Sequence, residues 1–140
     1  MAVSFDEVEV GTALPAQSFP VTRATLVRYA GASGDFNPIH WNEKFALEVG
    51  LPDVIAHGMF TMAEAIRVVT DWTGDPGAVV EYGVRFTRPV VVPNDEAGAV
   101  VEVSGKVAKL LDGRRVQVDL LATSEGQKVL GMSRAVVQLA

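Results

Sequence analysis

The sequence predicts an α+β domain in which a curved antiparallel sheet wraps one long central helix. Three observations carry that expectation. Residues Gly58 to Trp72 form the longest helical pattern in the chain, apolar around most of its circumference. From Val80 onward the apolar period changes from 3.6 to 2. The later strand segments are separated by tight-turn sequences, and consecutive strands joined in that way pair as an antiparallel meander.

Taken in order, Ala16 to Val21 reads as a short extended segment. Thr22 then caps a first helix whose apolar positions Leu26, Tyr29 and Ala30 share a face until Gly31 ends it. After a loop, Asn42 caps a second short helix, with Phe45, Ala46 and Val49 on one side and Gly50 at its end. In the long helix Met59, Met62, Ala63, Ile66 and Val69 recur at helical spacing, and Phe60, Ala65, Val68 and Trp72 widen the apolar face. Only the line through Thr61, Glu64 and Asp71 is left for solvent, which places the helix inside. The run from Trp72 to Gly77 breaks it. Val80, Tyr82, Val84 and Phe86 then alternate with polar or small residues as a half-buried strand that Pro89 and Pro93 finish. Val101, Val103 and Val107 mark the next strand, up to the turn at Asp112-Gly113. Val116, Val118 and Leu120 mark another, up to Glu125-Gly126, and a last strand runs from Lys128 to Leu139.

Neither a repeat nor a long linker divides the 140 residues, so one domain over positions 1–140 is expected. Without cysteine there is no disulfide, thiolate metal site or thiol nucleophile, which suits the cytoplasm. Met1 to Val10 has neither a basic start nor an apolar run, so no signal peptide is expected. No stretch approaches the roughly 20 apolar residues of a membrane span. A net charge of −5 argues against nucleic acid as a partner.

The chemistry concentrates in the loop Ser33-Gly34-Asp35-Phe36-Asn37-Pro38-Ile39-His40. Gly-Asp and Asn-Pro are each common turn dipeptides and alone would read as punctuation. Joined to His40, they put a carboxylate, an amide and an imidazole on a backbone that Gly34 bends and Pro38 stiffens. Asp35 and His40, aimed at one point, can add or remove water across a carbon–carbon bond. Gly58, where the long helix begins, offers an unpaired backbone N–H to a developing oxyanion. Asn37 reads first as the loop's hydrogen-bonding brace and second as a contact to the reacting water. His57 reads as structural. The two histidines lack ligand-like spacing, so no metal is expected, and no glycine-rich phosphate loop implies a nucleotide cofactor. Ser33 lies in no Gly-x-Ser-x-Gly elbow.

Tyr29, Ser33-Gly34-Asp35, Asn37-Pro38-Ile39-His40 and Ala46 together resemble the signature of the MaoC-like, or R-specific, hydratases and dehydratases. Ala56-His57-Gly58-Met59 and Tyr82 to Val90 resemble the same family's entry into its central helix and its long strand. The resemblance implies a single hot dog fold and a hydro-lyase that needs no cofactor. Within the family, the length and the stretch from Trp72 to Val79 resemble the catalytic B subunits of actinobacterial (3R)-hydroxyacyl-ACP dehydratases. The implied reaction is reversible dehydration of (3R)-hydroxyacyl thioesters in type II fatty-acid and mycolic-acid elongation. The implied assembly is a homodimer, or a heterodimer with a hot dog subunit lacking the dyad. Two departures bear on the site. Some family members carry a helix serine that supports the catalytic carboxylate, whereas Ala63 to Ile66 has no hydroxyl, and the usual Pro-Gly-Asp turn reads Pro93-Asn94-Asp95.

The alternatives are an R-specific hydratase acting on CoA rather than ACP thioesters, and a non-catalytic acyl-binding subunit. The presence of both Asp35 and His40 counts against the second. Arg85 and Arg88 are candidate contacts for an acidic carrier protein or for the pantetheine phosphate, provided a bulge or twist turns both to one rim.

Overall fold

The computed structural model describes residues 2–140; Met1, the first position of the expected domain, lies outside the described residues. The chain runs β1 (Ala13–Val21), α1 (Arg23–Ser33), α2 (Glu43–Glu48), α3 (Gly58–Thr73), β2 (Val79–Phe86), β3 (Ala99–Leu111), β4 (Arg115–Ser124), β5 (Gln127–Lys128) and β6 (Leu130–Gln138). The strands form one antiparallel sheet in the order β1-β3-β4-β6-β2, with β5 paired to β4 alone. α3 packs against β1, β2, β3 and β4. The α+β expectation holds.

The meander holds only for β3, β4 and β6. β2 pairs with β6 at one edge, so the chain crosses the sheet to reach β3. The reason lies in residues 87–98, where no tight turn exists and Val90 and Val92 are buried. Their backbones bond to the segment before α3 instead: Ala56 N–H donates to Val90 O at 2.9 Å and Val92 N–H to Val54 O at 3.0 Å. The expected last strand is likewise divided at Val129, whose N–H donates to Ala122 O and whose carbonyl accepts from Thr87 N–H.

Local signals set the helix starts. Thr22 and Thr25 form a reciprocal capping box, and Asn42 Oδ1 accepts from Phe45 N–H at 3.1 Å. α1 passes through Gly31 and ends at Gly34 (φ 76°), because the left-handed position that favours glycine falls there. On α2, Val49 is exposed rather than aligned with buried Ala46, since the helix closes at Glu48.

The buried stripe of α3 is Thr61, Ala65, Val68, Val69 and Thr73. Thr61, expected at the surface, is inside, while Met59 and Ala63 face solvent. The sheet covers one side of this helix and its exact phase decides which apolar residues are covered. Val80 and Phe86 are also exposed, because β2 is an edge strand whose register shifts twice against β6. Tyr82 on β2 donates its hydroxyl to Met62 O of α3 at 2.8 Å, and burial raises its pKa to about 12. Arg23, at the start of α1, donates to Val92 O at 2.7 Å and to the carboxylates of Glu43 and Asp53 at 2.8 Å each. One side chain thus ties α1, α2, the segment before α3 and the crossing segment around the loop that carries the dyad. No helix among the described residues is long and apolar enough to cross a membrane.

Candidate active site

The loop after α1 is built from its own backbone. Asp35 N–H donates to Ser33 Oγ at 3.2 Å, and Asn37 N–H donates to Asp35 Oδ1 at 3.1 Å. Asn37 Oδ1 then accepts from Ile39 N–H at 3.2 Å, starting a 3-10 turn over Pro38–His40. Trp41 closes the loop through its indole N–H to Phe36 O at 2.9 Å. The side-chain oxygen of Asn37 thus braces the turn. Asp35 has one oxygen held by the Asn37 amide and the other, Oδ2, 4.0 Å from His40 Nε2. The support that α3 cannot supply through a serine comes from the loop itself.

His40 is buried, with Nδ1 2.6 Å from Ile55 O. A carbonyl only accepts, so Nδ1 carries the hydrogen and the neutral ring leaves its lone pair on Nε2, the nitrogen nearest Asp35. Burial lowers the His40 pKa below 6.5, and His57 adds to that; the Ile55 carbonyl and Asp35 act in the opposite direction. His57 is 1% exposed. Its Nε2 donates to Asp35 O at 3.0 Å, its ring stacks on His40 with centroids 3.7 Å apart and 22° between planes, and Tyr29 meets it edge-on at 4.7 Å.

Asp35, His40 and His57 together bring ligand-type atoms within 4.8 Å of one another, a proximity that sequence spacing did not suggest. The stack makes them poor partners for an ion. Two nearly parallel imidazoles keep their in-plane lone pairs in separate planes, and a metal between them would sit far off both axes.

Gly58 opens α3 with no side-chain cap, so its N–H is among the first-turn donors without an intrahelical acceptor. It lines a cavity of about 420 Å³ together with Asp35, His40, His57, Thr61, Phe86, Arg88 and Leu130. Thr61 and Phe86 were not recognised as wall residues from sequence, and Arg88 was expected only as a rim contact for the carrier or the pantetheine phosphate. Thr61 lies three residues after Gly58 and so shares its helix face, a signal that was present. Phe86 and Arg88 reach the cavity only because β2 ends beside α3. Arg88 Nη1 donates to Gln127 Oε1, while Arg85 is not part of the wall: the second register shift of β2 falls between Gly83 and Arg85, before both arginines, and so does not turn them to one rim.

Residues 7–126 match the family described as MaoC like domain. The chain belongs to the MaoC-like family. It is 42% identical over 91 residues to 3-hydroxyacyl-thioester dehydratase X of Mycobacterium tuberculosis, covering 65% of this chain and 31% of that protein. It is 31% identical over 136 residues to 3-hydroxybutyryl-CoA dehydratase of Methylorubrum extorquens, covering 96% of this chain and 83% of that one. A solved MaoC-like dehydratase superposes with a TM-score of 0.95 at 43% identity, over 99% of this chain and 43% of that one. The MaoC-like chain thus spans less than half of the first relative and of the first structure. The (R)-hydratase of A. caviae, at 23% identity and a TM-score of 0.82, shares the fold. That fold is the hot dog fold.

Proposed function

We propose that this MaoC-like chain is a hydro-lyase that reversibly removes water from (3R)-hydroxyacyl thioesters. The observation that carries the reading is the pairing of Asp35 Oδ2 and His40 Nε2, 4.0 Å apart, in the cavity that Gly58 also lines. The thioester oxygen binds at the Gly58 N–H, where the start of α3 stabilises the enolate charge that develops as the α-proton leaves. Neutral His40 takes that proton at Nε2. Asp35 Oδ2 accepts from the 3-hydroxyl and steadies the imidazolium. The imidazolium returns its proton to the departing oxygen, so the C–O bond breaks as water forms and His40 is neutral again.

One relative is named for a CoA thioester, and others are fatty acid synthase beta subunits, such as that of Saccharomyces cerevisiae, 33% identical over 97 residues. We infer an acyl-ACP substrate in fatty-acid elongation, with acyl-CoA thioesters accepted by the same residues. Cytoplasmic placement accompanies that reading. We also infer that the chain works as a pair of hot dog units, a homodimer or a heterodimer with a subunit lacking the dyad. Exposed Val80 and Phe86 on the edge strand β2, the second of which lines the cavity, support pairing at that edge.

The test is hydration of crotonyl-CoA by the purified chain, alone and with candidate partner subunits. Asp35→Asn and His40→Ala each lose at least about two orders of magnitude in kcat while circular dichroism is unchanged. Retention of more than half the activity in either folded variant refutes the assignment.

A further inference from the structure

We propose that His57 is a positioning residue that sets both members of the dyad at once: its Nε2–H holds the Asp35 peptide while its ring face holds the His40 imidazole. The inference rests on the hydro-lyase reading for its kinetic consequence, and on geometry alone for the contacts. Nε2 of His57 lies 3.0 Å from Asp35 O, and the two imidazole centroids are 3.7 Å apart.

His57 Nδ1 is buried with no hydrogen-bond partner. A buried nitrogen left in that state is unfavourable, so an apolar ring would be the better choice for packing alone. What an apolar ring lacks is the Nε2 donor. Tyr29 from α1 meets the same ring edge-on at 4.7 Å, and α3 starts at the next residue, so His57 is held from two elements and cannot swing away. Asp35 by contrast has a side chain 52% exposed and a support that comes only from neighbouring loop atoms. Its peptide gains a long-range anchor through His57. A shift of that peptide would move Oδ2 relative to His40 Nε2, and misplacements of this kind are amplified in the rate.

His57→Phe and His57→Gln separate the two contacts. Phenylalanine keeps a flat ring without a donor; glutamine keeps an amide donor near the Nε2 position without the ring. With crotonyl-CoA, His57→Phe lowers kcat by about tenfold or more with KM within about threefold, and His57→Gln recovers part of that loss. Histidine NMR supplies the second readout. Removing the stacked ring in His57→Gln uncovers His40 and removes its imidazole neighbour, so the His40 titration midpoint moves up. The other titratable or charged groups facing this pair are Asp35 from the loop, the Tyr29 phenol from α1 and Arg88 after β2, all unchanged in the variants.

A His57→Phe enzyme with wild-type kcat, or a His40 midpoint unmoved in folded His57→Gln, overturns the proposal. If His57→Phe fails to fold, the His57→Gln midpoint still decides. An inactive wild-type chain would instead refute the hydro-lyase reading, and the NMR midpoint, which needs no turnover, would still test the role of His57.

Discussion

The ring of Phe86 lies so close to Gly58 that a Cβ built on the glycine would stand 3.0 Å from two of its carbons. The contact joins the end of β2 to the start of α3 at the wall of the cavity. Glycine is favoured there by space and not by backbone conformation, since no positive φ is involved.

Gly58→Ala therefore forces Phe86 to move. The ring is 55% exposed and can yield, so the fold survives, but the methyl group and displaced ring intrude on the cavity beside the Gly58 N–H, where the proposed function places the thioester oxygen. We expect kcat/KM on crotonyl-CoA to fall about 100-fold, the scale of one lost oxyanion donor, with little change in Tm. Adding Phe86→Ala relieves the crowding and restores part of the activity. A Gly58→Ala enzyme with unaltered kcat/KM would remove Gly58 from the site.

The His40 pKa lies below its unfolded value. The folded state thus binds fewer protons than the unfolded one between the two values, and stability rises with pH across that window. The contribution is complete above about pH 6.5 and is lost as pH falls from there through the folded pKa. Urea midpoints between pH 7.5 and pH 5 fall more steeply for the wild type than for His40→Gln, which has no imidazole to charge. Parallel slopes would refute the buried neutral state of His40.

Arg23 is 21% exposed at its side chain and makes three charge-assisted hydrogen bonds to partners remote in sequence. Arg23→Ala leaves the Val92 carbonyl and Asp53 short of donors and should cost about 1–3 kcal/mol in urea unfolding. Arg23→Lys, which cannot reproduce the fork, recovers less than half of that loss. Equal stability of all three proteins would show that the loops are held by other contacts.

Arg88 lines the cavity and Arg85 does not. Arg88→Ala is expected to weaken turnover of an acyl-ACP substrate about threefold to tenfold, more at low salt, and to leave short N-acetylcysteamine thioesters within about twofold. Arg85→Ala should be silent in both assays. An equal loss on both substrates would place Arg88 in acyl binding, and no loss on either would leave carrier docking to other residues.

Much of this protein was legible in the chain because the signals are local. The caps Thr22 and Asn42, the start of α3 at Gly58, the alternation of Val101, Val103 and Val107, and the turn at Asp112-Gly113 each depend on residues a few positions apart. The proximity of Asp35 and His40 was legible for the same reason, since one short loop carries both. Other features were decided only when distant segments met. Gly31 and Gly34 both offer a helix stop, and the place where the backbone turns left-handed chose Gly34. Thr61 and Met59 exchanged their expected environments because the covered side of α3 is set by the sheet and not by its own period. The seat of β2 beside β6 followed from residues 87–98 pairing with the segment before α3, which no turn sequence could announce. That same meeting of segments brought His57, Phe86 and Arg88 to Asp35 and His40, since a site wall is made of contacts across the fold while periodicity reports only neighbours along the chain.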